Sequence, residues 1–213
     1  MTASAPRGYV EHAAAWDADA GPPAAELLPR AERSAASFET RILAQVLGEL
    51  APRALAPLPS LPWVLGLGDE TAASRLPGAA LRRALAPRSG LSLVYAGAAT
   101  VPMALLEGLA HLVDHPAVLV AFAADAAPPH HEALAAALLL TREPTGRARL
   151  VLTTPTLRRT SSHSERRTTH EHPLMPALVL ARAINVGQPT VHTVPPCAPD
   201  RREHWQIELR TAF

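Results

Sequence analysis

Cysteine occurs once in the 213 residues, at Cys197, so the chain can form no internal disulfide and has no thiolate set for a structural zinc. Excess charge is missing too. Twenty Lys and Arg against 19 Asp and Glu give a formal net charge of +1, which provides no electrostatic footprint for nucleic acid. No apolar stretch approaches the roughly 20 residues that span a bilayer, and Met1–His12 has no basic segment followed by an apolar run. These absences predict a cytoplasmic protein without a membrane or nucleic-acid partner. Aromatic residues are scarce, at 4% of a chain that is 48% hydrophobic, so the core has to be built from Ala, Leu and Val. The sequence has no internal repeat, no heptad pattern and no Gly-x-Ser-x-Gly elbow, and the last absence argues against a serine hydrolase.

The chain length suits one domain with a good core, and the 22 prolines predict many punctuated loops. Its most informative stretch is Ser89–Ala123. Leu91–Tyr95 predicts a short strand, and Ala96–Ala99 supplies side chains small enough for a tight turn. Thr100 can then cap a helix whose first turn holds Pro102, where the missing N–H costs nothing. Val101, Leu105, Leu109 and Leu112 line one side of that helix and Met103, Leu106, Ala110 and Val113 another, which predicts a central helix. Ala104 and Gly108 allow a close approach to a neighbour, and Ala117–Ala123 predicts a second buried strand that completes a βαβ unit. A helix entered from such a turn is a place to stabilise developing negative charge. Yet the turn holds no thiol, and no acid or base adjoins Thr100.

Elsewhere, Gly8–Trp16 predicts a strand, and the spacing Phe38, Ile42, Leu43, Val46, Leu47, Leu50 predicts an amphipathic helix that Pro52 stops. Trp63–Leu67 predicts a buried strand and Thr71–Leu85 a helix interrupted near Pro77. Ala133–Thr141 has the composition of a helix, whereas Arg149–Thr154 predicts a strand. Thr156–His172 is polar and basic with little to bury, which predicts a mobile loop. Leu174–Ile184 predicts a helix ended by Gly187, and Trp205–Arg210 a closing strand.

Several clusters admit a chemical and a plain structural reading. Gly66-Leu-Gly-Asp-Glu lacks the third glycine of a dinucleotide fingerprint and an acidic ribose partner, which favours a tight turn. His111 and His115 have metal-ligand spacing, but Asp114 and Pro116 put them at a helix end, where histidine suits the dipole. His130-His131-Glu132 follows two prolines and begins an element. His163, His170 and His172 fall in the polar loop, where a metal lacks an ordered second shell. Arg158, Arg159, Arg166 and Arg167 lie there too, as solvated charges or as contacts for an acidic carrier. Cys197 stands between Pro196 and Ala198-Pro199, without a helix N-terminus to activate it. No metal and no cofactor is expected.

Leu28-Pro-Arg-Ala-Glu-Arg-Ser with the helix from Phe38, the Ser89–Asp125 unit and Glu132–Glu143 resemble the N-terminal half of β-ketoacyl synthases, of the thiolase superfamily. They resemble more closely the short chain-length-factor-like proteins of aryl-polyene and related pigment pathways, whose tail Trp205-Gln-Ile-Glu-Leu also resembles. The match covers most of the chain and weakens after Pro155.

The resemblance implies a thiolase-like α/β fold, with a mixed five-stranded sheet, helices on both faces and a small C-terminal extension. Residues 1–154 would form the ketosynthase-like domain, 155–173 a flexible loop, and 174–213 a helix and strand packed on the same domain. Ala135–Leu140 becomes a strand, overriding alanine's helix propensity. The family's acyl-accepting cysteine falls near Ala99, so the resemblance implies a catalytically silent subunit paired with an active ketosynthase. Ala98, Ala99, Thr100 and Met103 would lie near the acyl-chain pocket or block it. Leu91, Leu93 and Tyr95 would lie at the subunit interface, since the family pairs through the strand before the turn. Half of a sandwich also leaves apolar surface for a partner to cover. An acyl carrier protein is a further partner the resemblance allows. The alternatives are an acyltransferase or thioesterase on acyl-carrier thioesters, using Thr100 or Cys197 with a histidine, and a non-catalytic scaffold.

Overall fold

The computed structural model describes residues 6–54, 56–68, 89–125, 132–146, 148–159, 172–194 and 203–212. Two segments organise it. Ala117–Ala124 (β4) and Leu134–Thr141 (β5) are buried at all eight positions each, and a strand whose successive side chains face opposite ways can achieve this only when both faces of its sheet are covered. The sheet around them contains β1 (Arg7–Asp17), β2 (Trp63–Leu67), β3 (Leu91–Val94), β6 (Leu150–Thr153), β7 (Thr156–Arg159), β8 (Thr190–Val194) and β9 (Glu203–Thr211). The principal helices are α1 (Phe38–Leu50), α2 (Thr100–His111) and α3 (Met175–Val186).

The first half of the sheet runs β3-β2-β4-β5-β1, with β2 parallel to both β3 and β4 and the other pairs antiparallel. These are the five strands expected of the core, and among the described residues the sheet extends to nine. β6 pairs with the start of β1, and β9 with β6. Leu150–Leu152 pair with Thr211–Leu209 and Thr156–Arg159 with Gln206–Glu203, so β6 and β7 run in line along one side of β9 while β8 takes the other.

Helix α1 covers one face. Ser37 caps it by accepting the Thr40 N–H at 3.2 Å, and its apolar stripe joins Trp16, Trp63, Leu65, Leu119 and Leu139. Helices α2 and α3 cover the other face, where Val101, Leu105 and Leu180 pack with Val64, Val120, Phe122 and Leu138. The same cluster takes in Leu150, Leu152, Val194, Ile207 and Leu209, so the C-terminal strands also bury the two helices. The apolar face that a half-fold was expected to leave for a partner is therefore covered by the chain's own C-terminal segment. Gly187 ends α3 at φ 68°, its N–H bonded to the Ala183 and Ile184 carbonyls.

Other expectations change as well. Thr156–Arg159, expected to begin a mobile loop, form a strand although every residue is exposed, because the backbone pairing along β9 needs no buried side chain. Residues 160–171 lie outside the described residues, as does the helix expected over 71–85. Strand β8 was not anticipated. Helix α2 is not buried all round: Val101, Ala104, Leu105, Gly108 and Leu109 pack inward, while Met103 and Ala110 are exposed on a side that no described element covers.

Candidate functional site

The turn between β3 and α2 is made of Ala96, Gly97, Ala98 and Ala99. Gly97 adopts φ 54°, a left-handed conformation that any side chain would strain, and Gly97–Ala99 form a single 3-10 turn into the helix. Thr100 does not cap the helix: Ala99 occupies the N-cap with no side-chain bond, and Thr100 begins the helix fully buried. Its hydroxyl oxygen accepts the Ala96 N–H at 2.9 Å, which ties the helix start back to the end of β3. No acidic side chain stands in the first turn of the helix to offset its positive end. The turn thus holds a closely engaged threonine and has no thiol, acid or base of its own, and the Ala96, Ala99 and Thr100 N–H groups are bonded within it.

The glycines of β2 explain how α2 comes so near the sheet. Gly66 is in register with Phe122, and a Cβ on it would lie 2.5 Å from Phe122 Cδ1 and 3.2 Å from Thr100 Cγ2. Phe122 is fully buried, so its ring fills the space between β2 and the turn. A Cβ on Gly68 would meet Ala124 Cβ at 2.8 Å, with His172 Cε1 at 3.6 Å and Leu174 Cδ1 at 3.7 Å. Gly66-Leu-Gly is thus a pair of close-packing positions on the helix-facing side of β2.

His172, placed by the sequence in a mobile loop, is 6% exposed at the start of α3. Its Nδ1 accepts the Leu174 N–H at 3.1 Å, which puts the proton of a neutral ring on Nε2, and its carbonyl accepts the Met175 N–H. Both buried helices therefore start at the same end of the sheet, α2 beside Gly66 and α3 beside Gly68. Phe122 and His172 belong to this site and were not singled out for it from sequence. The signal for His172 was His-Pro ahead of an apolar helical run. For Phe122 it would have been the β2/β4 register, which spacing does not give.

Ala98, Ala99, Thr100 and Met103 are the residues expected near a pocket. Ala99 and Thr100 are buried, Ala98 is half-buried, and Met103 is 39% exposed on the open side of α2. Leu91 is half-buried against the α1 face, while Leu93 and Tyr95 are 42% and 47% exposed. β3 is an edge strand, and among the described residues only β2 pairs with it.

His111 Nε2 lies 3.1 Å from Ser92 Oγ and 3.5 Å from Glu107 Oε1, with the His115 ring centroid 6.0 Å away. Among the described residues no group of three or more His, Cys, Asp or Glu could hold a metal ion. Glu132, Arg158 and Arg159 are exposed, whereas His130, His131, His163, Arg166, Arg167, His170 and Cys197 lie outside the described residues. No described helix is long and apolar enough to cross a membrane.

No protein-family model matches the sequence, and no curated protein does. Solved structures do match. The chain is similar to one in the complex of the ketosynthase ApeO with its chain length factor ApeC from Xenorhabdus doucetiae, with TM-score 0.60 and 14% identity over 94% of this chain and 98% of that one. It is similar to AbyA1, a tetronic acid condensing enzyme (TM-score 0.56, 12% identity, 95% of this chain and 99% of that one). It is also similar to germicidin synthase from Streptomyces coelicolor, a type III polyketide synthase (TM-score 0.55, 13% identity, 97% of this chain and 100% of that one). At these identities the likeness is one of fold, and it agrees with the mixed sheet and buried helix pair: the chain has the thiolase-like α/β fold of these ketosynthase and polyketide synthase structures.

Proposed function

We propose that this chain is a catalytically silent, chain-length-factor-like subunit. It pairs with an active ketosynthase in polyketide, polyene or fatty-acid-like biosynthesis and helps to shape the space into which the growing acyl chain extends. The observation that carries this is the turn into α2, where the fold is kept and no nucleophile stands. Ala99 occupies the N-cap, Thr100 is fully buried with its oxygen engaged, and Phe122 and Thr100 together leave no room for a Cβ on Gly66. Condensation needs a thiolate to hold the acyl chain and donors to stabilise an enolate, and this turn supplies no thiolate. Burial of Thr100 also weighs against an acyltransferase that would use it as nucleophile.

Pairing would run through β3. Among the described residues its outer edge has no strand partner, and Leu93 and Tyr95 beside it are exposed, a surface that a second strand would complete. The ApeO–ApeC complex is the precedent for a ketosynthase held by a chain length factor. In this proposal the pair acts in the cytoplasm on chains carried by an acyl carrier protein.

The test is co-purification with a full-length ketosynthase encoded beside this chain. Leu93→Arg should abolish the complex and leave the fold intact by circular dichroism, and Met103→Trp should preserve the complex and shift product length. A purified chain that alone condensed malonyl-carrier with an acyl primer would overturn the proposal.

A further inference from the structure

β3 has little packing to hold it. It has four residues, none of them buried, and among the described residues only β2 pairs with it. Its side chains alternate between the two faces of the sheet: Leu91 packs toward α1, and Val94 joins the cluster around α2. Among the β3 side chains only Val94 joins that second cluster, so apolar contact between the strand and the helix is thin. A strand so placed opens easily unless other bonds fix it.

The polar residues of α2 supply such bonds. Thr100, Glu107 and His111 are the only polar side chains of that helix, and with the fully buried Ala104 they follow a 4-3-4 spacing that puts them on one face. All three bond to β3 or to the turn that follows it. Ser92 Oγ on β3 donates to Glu107 Oε1 at 3.0 Å and lies 3.1 Å from His111 Nε2, and that nitrogen is 3.5 Å from the same carboxylate oxygen. Serine has one hydroxyl proton, and here it goes to Glu107. The His111 contact therefore closes when Nε2 carries a proton and donates to Ser92 Oγ. At the other end of the helix, Thr100 Oγ1 accepts the Ala96 N–H. The two attachments are seven helical residues apart, about 10 Å, so α2 grips both the strand and its exit.

We propose that Ser92, Glu107 and His111 are positioning residues for subunit pairing: through them α2 fixes where the edge strand β3 stands, and with it the geometry that a partner strand meets. This rests on the reading that a ketosynthase pairs at β3. A loosely held edge would have to be ordered at the moment of binding, which costs affinity, whereas an edge already tied to a buried helix is preorganised. The polar residues on an otherwise apolar helix are thereby accounted for by the strand they hold.

The test compares Ser92→Thr with Ser92→Val in the full chain. The two side chains have the same shape and differ in the hydroxyl, and strand propensity does not penalise valine. Hydrogen exchange followed by NMR should show the β3 amides that bond to β2 exchanging about tenfold faster in Ser92→Val, the effect of one lost hydrogen bond to a charged group, while amides of β4 and β5 exchange alike in both. Glu107→Ala should loosen β3 in the same way. In complex with the ketosynthase encoded beside this chain, Ser92→Val should bind at least fivefold more weakly than Ser92→Thr. Equal exchange at β3 in the two variants, or equal affinity in a complex that does form, would overturn the proposal. A ketosynthase that fails to bind the parent chain would overturn the pairing reading instead, and the exchange comparison then decides by itself whether α2 holds β3.

Discussion

Gly66→Ala tests the packing of the turn most directly. The new methyl would fall 2.5 and 2.6 Å from Phe122 Cδ1 and Cε1, contacts that real Cβ atoms do not make, and 3.2 Å from Thr100 Cγ2. Phe122 is fully buried and has no free side to move toward, so either the ring leaves its position or β2 shifts away from α2. Overpacking of this kind costs about 1–3 kcal/mol. Replacing glycine also restrains the unfolded chain, which returns about 0.4–1 kcal/mol. The clash wins, and a net loss of about 1–2 kcal/mol is expected, equivalent to a fall of roughly 2–8 °C in thermal midpoint for a chain of this size. Urea unfolding followed by far-ultraviolet circular dichroism should show a lower midpoint at unchanged slope. Phe122→Leu alone should also destabilise, by leaving a cavity. In combination the smaller side chain makes room for the methyl, so the double variant should be more stable than the sum of the singles by about 1 kcal/mol or more. A Gly66→Ala protein as stable as the parent, or strict additivity with Phe122→Leu, would refute the account of the turn given above.

The same substitution should have opposite signs in two helices. A Cβ on Gly48 in α1 would meet only Leu27 Cγ at an ordinary 3.6 Å, so Gly48→Ala should stabilise by about 0.5–1 kcal/mol, whereas a Cβ on Gly108 in α2 would lie 2.6 Å from Val120 Cγ2. Val120 is fully buried and β-branched, so Gly108→Ala should lower the urea midpoint despite its gain in helix propensity. On β9, the hydrogen bond from Arg210 at 2.8 Å holds the Glu208 carboxyl below its ordinary range. Stabilisation from a depressed carboxylate is complete above its unfolded pKa and is lost as pH falls through the folded value, so this pair contributes at pH 7 and not in strong acid. Arg210 is exposed and Glu208 half-buried, so solvent keeps the contribution small, and the gap in urea midpoint between parent and Glu208→Gln should close as pH is lowered to about 2.

The βαβ unit was legible because its signals are local: small residues before α2, apolar spacing within it, and a run of Val, Ala and Phe after it. Ala133–Thr141 was not legible from propensity, which favours helix for Leu-Ala-Ala-Ala-Leu-Leu-Leu. It is a strand because it lies between β4 and β1 with both faces covered, and only the family resemblance indicated that position in advance. β7 was missed for the opposite reason, since a strand held by backbone pairing at a polar edge leaves no periodic trace. The closing of the site rests on register. Whether Phe122 or a neighbour meets Gly66 depends on a one-residue alignment between strands more than 50 positions apart in sequence, which spacing within either strand does not determine.

The two ends of the sheet also differ in what they leave for a partner. Along β9, Ile207 and Leu209 join the core, while alternate residues on the other face are polar: Gln206 accepts from Arg158 Nε at 3.3 Å, and Glu208 accepts from Arg210. Such a face is content in water and needs no further layer of helices. Exposed Leu157, Val186 and Val191 around this end are scattered apolar groups of the kind any surface carries. Leu93 on β3 and Tyr95 just after it are exposed, and among the described residues the outer edge of β3 has no strand partner and no element covers the Met103 side of α2. A docking strand there would satisfy hydrogen bonds and bury apolar area in one step, whereas β9 is already paired on both sides, by β6 and β7 on one and β8 on the other. Among the described residues β3 combines an outer edge without a strand partner with the exposed Leu93 and Tyr95, so association is to be sought first there.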